Sequence, residues 1–111
     1  MTNEVGGLYY DQGRYKEAEA LQRETLEIQK RVLGPEHPDT RMAIYNLGCT
    51  AALQGERSKA MGYLRDAVEH GWSNAKWMLE DSDLASLRGD PEFEKIVAIA
   101  KANQERATRK E

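Results

Sequence analysis

The sequence predicts an all-α protein, a short stack of antiparallel helix pairs closed by a C-terminal capping helix. Three observations support this fold class. Apolar residues recur at helical spacing, glycine and proline interrupt that pattern at regular intervals, and the chain resembles itself after a shift of 42 residues. Charged residues make up 32% of the 111 residues, which suits one soluble helical domain with a modest core.

The stack is organised around a helix predicted at residues 40–54. One of its faces carries Ile44, Leu47, Gly48 and Ala51. A second apolar face lies beside it and consists of Met42, Tyr45, Cys49, Ala52 and Leu53. A surface helix normally has one apolar stripe, so a helix with two must be covered on two sides or present one side to a ligand. Because glycine weakens a helix, Gly48 predicts the close approach of a neighbouring helix.

The repeat appears when the turn at residues 12–13 is placed over the turn at residues 54–55. Ala18 then falls on Ala60, and apolar positions generally fall on apolar positions. The predicted helices are residues 3–12, 15–33, 40–54, 57–70 and 72–80, then a single turn around residues 84–87 and a last helix from residue 91. Along the second helix, the predicted core positions are Ala18, Leu21, Thr25, Ile28 and Val32. Gly34, Pro35 and Pro38 keep the second and third helices apart, with Asp39 or Thr40 as the next cap.

Two stretches carry a family resemblance. Residues 33–40 (LGPEHPDT) and residues 13–19 (GRYKEAE) resemble the 42-residue tetratricopeptide repeat of the kinesin-light-chain type. Residues 81–93 (DSDLASLRGDPEF) are similar to the closing segment of many bacterial tetratricopeptide proteins, including repeat regions attached to serine/threonine kinases. The resemblance implies a short right-handed superhelix, with two repeats in residues 1–71, the first truncated and the second degenerate. Residues 72–111 then supply a short helix and the capping helix of the same domain.

The resemblance also implies a peptide-binding surface on the concave side of the superhelix. The residues expected to line it are Tyr10, Met42, Tyr45, Asn46, Cys49 and Leu53. Tyr45 and Met42 would anchor an apolar side chain, and Asn46 would bind the peptide backbone. The alternative reading is that the aromatic and methionine side chains pack on a capping helix or on another copy of the chain.

Composition and motifs argue against several other function classes. The net charge of −3 offers no electrostatic reason to expect nucleic acid or a membrane surface as partner. The single cysteine excludes an internal disulfide, and His37 and Cys49 lie on different elements with no third residue to orient the histidine. No phosphate-binding loop, HExxH motif or cysteine pair occurs. The sequence therefore predicts a cytoplasmic protein that is not an enzyme, with no catalytic residue, metal or cofactor.

Two functions remain open. The first is a binding module that holds a protein or peptide in its concave groove. The second is a self-assembling fragment, for example a homodimer, or the regulatory portion of a larger signalling protein. Self-association is expected through Val5, Leu8 and Tyr9, whose apolar pattern continues to the edge of the chain.

Overall fold

The computed structural model describes residues 15–109, and within that range the chain is helical and contains no β-strand. Its elements are α1 (Tyr15–Val32), α2 (Pro38–Leu53), α3 (Arg57–Glu69), α4 (Ala75–Glu80), the 3₁₀ helix η1 (Ser82–Leu87) and α5 (Pro91–Arg109). The all-α prediction is confirmed. The helix predicted at residues 3–12 lies outside the described residues. Between residues 15 and 109, none of the helices combines the length and the apolarity needed to cross a bilayer.

The start of α2 differs from the prediction. The helix begins at Pro38, because a proline at the first helical position lacks only an N–H that would have no partner there. The cap is His37, whose Nδ1 accepts a hydrogen bond of 3.1 Å from the Asp39 N–H. Asp39 and Thr40, the predicted caps, are therefore already inside the first turn.

The start of α4 also differs, and this change matters for the site. The prediction began this helix at Trp72, whereas α4 begins at Ala75 with Asn74 as its cap. Asn74 accepts a 3.0 Å hydrogen bond from the Trp77 N–H. Trp72 consequently lies in the connection after α3, where its side chain turns inward and is buried.

The central position of α2 is as predicted. It lies between α1 and α3 and also contacts η1. Ile44 and Leu47 on its first face are fully buried. At Gly48, an added Cβ would lie 2.8 Å from Leu64 Cδ2, so the glycine does permit α2 and α3 to approach closely.

The core-facing stripe of α1 was predicted incorrectly. Ala18 is buried as expected, but Ile28 is 50% exposed and Val32 is 73% exposed. The buried residues of this helix are Ala18, Glu19, Gln22 and Leu26. The helix is therefore rotated so that a more polar face meets α2, and Thr50 accordingly donates a 2.7 Å hydrogen bond to Gln22.

The C-terminal helix covers the end of the stack. Phe93, Ile96 and Val97 are buried, and α5 contacts both α3 and α4. Asn103 extends this attachment, since its Nδ2 donates 2.8 Å hydrogen bonds to the carbonyl oxygens of Val68 and Trp72. The Val68 carbonyl also accepts a 3.1 Å hydrogen bond from the Gly71 N–H, whereas Asn103 is the donor to the Trp72 carbonyl, which follows the end of α3.

Candidate peptide-binding recess

The second face of α2, predicted to bind a peptide, is largely covered by the segment that follows α3. Tyr45 is only 2% exposed, and its ring stacks on Trp72 with the planes 5° from parallel. The Tyr45 hydroxyl donates a 2.7 Å hydrogen bond to Asp81, and Cys49 Sγ lies 3.6 Å from the same carboxylate oxygen. Of the two interpretations of Tyr45, packing inside the protein is therefore the one that the structure supports. Neither Tyr45 nor Cys49 is open to a peptide in this conformation.

Asp81 connects α2 to the 3₁₀ helix. One of its carboxylate oxygens accepts from Tyr45, and the other accepts from the Asp83 N–H at 2.9 Å, which caps η1. Burial, with the neighbouring Cys49 and Asp81, raises the pKa of Tyr45 far above its ordinary value. Burial, and next the charge of Asp81, also raises the pKa of the Cys49 thiol. Both groups remain protonated and serve as donors to Asp81.

Cys49, Asp81 and Asp83 bring three atoms of metal-ligating type within 4.8 Å of one another. A thiol binds a metal as the thiolate, but burial and the Asp81 charge favour the neutral thiol at this position. The Asp81 carboxylate already accepts hydrogen bonds at both oxygens. The cluster therefore fits a structural latch between α2 and η1, and we assign no metal to it.

The other predicted site residues fall into two groups. Met42, Asn46 and Leu53 are partly exposed on α2. The remaining ones, Tyr10 for peptide binding and Val5, Leu8 and Tyr9 for self-association, lie outside residues 15–109.

One recess lies between α1 and α2 and has a volume of about 180 Å³. It is lined by Gln22, Thr25 and Gln29 from α1 and by Asp39, Met42, Ala43 and Asn46 from α2. The buried atoms Gln22 Nε2 and Gln29 Oε1 form no hydrogen bond within the described part of the chain. Two amide atoms do not by themselves define a ligand, and we assign none to this recess.

A second recess, of about 200 Å³, lies where the N-terminal end of α2 meets the start of α4. We call it the Trp77 recess; its lining residues are Pro38, Arg41, Met42, Trp72, Ser73, Asn74 and Trp77. Trp77 is 41% exposed and packs edge-on against Trp72, with ring centroids 6.5 Å apart and planes at 73°. Because Trp72 in turn stacks on Tyr45, a continuous series of three aromatic rings leads from the core to this exposed indole.

Arg41 supplies the positive charge of the Trp77 recess. Its guanidinium lies against Gly71, where an added Cβ would collide with Nη1 and would lie 3.5 Å from Cζ. Gly71 has φ of +113°, a conformation that favours glycine, so the backbone geometry requires this residue, and its lack of a Cβ leaves room for the arginine. Arg57 and Arg65 form ion pairs with acidic residues, whereas Arg41 pairs with no acid among residues 15–109.

Sequence reasoning identified only Met42 among the residues of this recess and missed Arg41, Trp72 and Trp77. A usable signal was present. Asn74 is of the type that caps helices, and placing the cap there would have left Trp72 in a turn after Gly71, free to pack back on the central helix. Nothing in the local pattern distinguishes Arg41 from the other surface arginines.

The packing described above defines the class of protein: an α-helical repeat scaffold in which consecutive antiparallel helices stack on one another. Residues 1–70 match the family described as the tetratricopeptide repeat. The chain therefore belongs to the tetratricopeptide repeat family. Repeats of this family generally mediate protein–protein interactions and are generally not catalytic.

A curated relative is a nucleotide-binding leucine-rich repeat (NLR)-like protein of the fungus Hyaloscypha variabilis. It is 43% identical over 40 residues, which span 36% of this chain and 4% of the relative. The similarity thus covers a small part of a much longer protein. No solved structure matches the chain significantly.

Proposed function

We propose that this chain is a non-enzymatic interaction module that binds a peptide segment of a partner protein at the Trp77 recess. The observation that carries the proposal is the exposed Trp77 indole, held at the edge of a recess by Trp72 and by the Asn74 cap. Aromatic residues and methionine are enriched at the centres of protein interfaces. A tryptophan already fixed in place loses little conformational freedom when a partner binds.

The recess also agrees with part of the sequence prediction. Met42, one of the expected anchors, lines it, and Asn46 follows one helical turn later on α2. Asn46 and Leu53 extend the partly exposed strip of α2 along which a bound segment would continue. In this proposal Trp77 is the aromatic anchor for the partner instead of Tyr45. Tyr45 is buried and contributes by stacking on Trp72, which contacts Trp77.

A phage-displayed library of random dodecapeptides, selected on the immobilised protein, tests this proposal without knowledge of the natural partner. We expect wild type to select peptides that lose roughly thirtyfold in affinity for Trp77→Ala, the effect of removing a good aromatic anchor. Leu79→Ala is the matched control, since Leu79 lies on the same short helix, is 45% exposed and does not line the recess. If the selected peptides bind both variants and wild type equally, the Trp77 recess is not the peptide-binding site.

We also propose a narrower relationship within the tetratricopeptide repeat family. The stretch at residues 33–40 supports repeats of the kinesin-light-chain type, and residues 81–93 support the likeness to bacterial tetratricopeptide proteins. The NLR-like relative, of which only 4% is matched, supports a role as one portion of a larger protein. A cytoplasmic location accords with these points, and fractionation of cells that express the full gene product would test it.

Self-association is the second candidate function, and exposed residues of α1 favour it. Ile28, Val32 and Leu33 present apolar surface that no element among residues 15–109 covers. If this strip joins two copies of the chain, Val32→Asp yields a monomer, whereas Glu24→Gln on the same helix leaves the assembly intact. Light scattering at several protein concentrations distinguishes the two cases. A wild type that is monomeric throughout would leave only the binding module.

A further inference from the structure

We infer that the Trp77 recess recognises an aspartate or glutamate side chain of a partner protein, next to a bulky apolar residue that packs on Trp77. This inference rests on the proposed function and adds the chemistry of the partner. In it, Arg41 is the residue that selects the acidic group.

No acidic side chain among residues 15–109 neutralises Arg41. Its side chain is half-buried, it lines the recess, and it has no ion pair with any acid in the described range. The guanidinium lies beside the Gly71 backbone, where the absence of a Cβ leaves room for it. A charged group that is partly removed from water and left unpaired is unfavourable, and an incoming carboxylate would relieve this.

The other polar side chains of the recess, those of Ser73 and Asn74, are neutral and can each donate a hydrogen bond. Trp72 contributes part of the lining while being almost wholly buried, and its Nε1 atom is inaccessible, so it is not counted among the groups open to a ligand. Asn74 Oδ1 is already engaged by the Trp77 N–H, which leaves the Asn74 amide NH₂ as its open polar group. A recess lined, within residues 15–109, by one cation, by neutral polar groups and by no acidic residue favours a ligand with negatively charged oxygens.

The choice of a carboxylate follows from the geometry of arginine and from the apolar wall. The planar guanidinium binds a carboxylate through two parallel hydrogen bonds, which gives both affinity and orientation. Pro38, Met42 and Trp77 form an apolar border beside it, which suits a bulky neighbour of the acid. The partner segment is therefore acidic and apolar in adjacent positions.

The peptides selected in the experiment above supply the probe. We expect them to be enriched in Asp or Glu beside Leu, Met or an aromatic residue. Replacing the acid by Asn or Gln should weaken binding to wild type about tenfold in fluorescence polarisation, the size expected for a charge-assisted hydrogen bond. This comparison changes only the peptide, so it does not depend on the folding of a variant.

Arg41→Met then assigns the effect to its residue. It should bind the acidic and the amide peptide alike, whereas Arg31→Met, at an exposed arginine of α1, should keep the wild-type preference. Selected peptides without acids, or an Arg41→Met protein that still prefers the acid, would overturn the inference. So would a phosphoserine peptide that binds more tightly than the aspartate peptide. If Trp77→Ala abolishes binding while these acid tests fail, the proposed function stands and only the acidic specificity is wrong.

Discussion

The ring of Tyr45 on α2 stacks on that of Trp72, which lies 27 residues further along the chain. The ring centroids are 4.3 Å apart and the planes are within 5° of parallel. This contact closes the second apolar face of the central helix. It also fixes Trp72 as the support of the exposed Trp77. The interior of the stack and its candidate binding surface therefore share one aromatic series.

Tyr45 should contribute to stability through both its ring and its hydroxyl. Tyr45→Phe removes the hydrogen bond to the Asp81 carboxylate and should cost about 1.5–3 kcal/mol, whereas Tyr45→Ala also removes the stacked ring and should cost about 3–5 kcal/mol. Urea unfolding followed by circular dichroism measures both. Tyr63→Phe is the control, because its hydroxyl makes only an exposed 3.3 Å contact with Arg23. A Tyr45→Phe protein as stable as wild type would contradict the role of the latch.

Two glycines inside helices should respond to alanine in opposite directions. At Gly48 the new methyl group meets Leu64 in a fully packed position, so Gly48→Ala should destabilise by about 1 kcal/mol despite the higher helix propensity of alanine. At Gly62 on α3 nothing lies within 4 Å of an added Cβ, and Gly62→Ala should stabilise by about 0.5–1 kcal/mol. Thermal and urea unfolding of the pair provide the measurement. Equal shifts in the two variants would show that α2 and α3 do not approach as closely as described.

Glu19 should make stability depend on acid. Burial alone raises the pKa of Glu19, but hydrogen bonds from Lys59 and Gln54 and the charges of Lys59 and Arg23 outweigh it, so the pKa is lowered on folding. A lowered pKa adds stability above the unfolded value of about 4.3, and this is lost as the pH falls through the folded pKa. Glu19→Gln should therefore be less stable than wild type at pH 7, with the difference shrinking below about pH 4.

Unfolding free energies of Glu19→Gln and wild type at several pH values between 7 and 3 test this linkage. Glu24→Gln provides the control, since Glu24 is an exposed glutamate on the same helix and forms no ion pair with residues 15–109. If the difference in unfolding free energy between Glu19→Gln and wild type stays constant with pH, the ion pairs of the Glu19 carboxylate with Lys59 and Arg23 do not stabilise the fold.

Asn103 should determine how firmly α5 is attached. Asn103→Ala leaves the Trp72 carbonyl oxygen without its side-chain donor and the Val68 carbonyl oxygen with only the Gly71 N–H, and it should cost about 1–3 kcal/mol. Asn103→Asp should also destabilise, because it places a carboxylate oxygen against two carbonyl oxygens while keeping the acceptor for Arg106. Gln104→Ala, at the exposed neighbouring position, should change stability by less than about 0.5 kcal/mol. Hydrogen exchange of α5 measures the effect locally, and unchanged exchange in Asn103→Ala would contradict it.

Within residues 15–109, local patterns were sufficient to predict the helices and most of their ends. Gly34 ends α1, and α5 begins at Pro91, because backbone conformation at these residues depends on the residue itself and its nearest neighbours. The two apolar faces of α2 and the close approach at Gly48 were also predictable. They follow from helical spacing within a single segment.

The site depended on contacts between distant parts of the chain. Tyr45 was predicted to be exposed to a peptide, yet it meets Asp81, 36 positions away, and Trp72 fills the space above it. On α1, helical spacing predicted that Ile28 and Val32 lie in the core. Glu19 and Gln22 are buried instead, and their polar groups bind Lys59, Gln54 and Thr50 on the neighbouring elements. Periodicity specifies that a helix has an apolar face, but which face is buried depends on the neighbour that covers it. That neighbour is chosen by the folded chain as a whole.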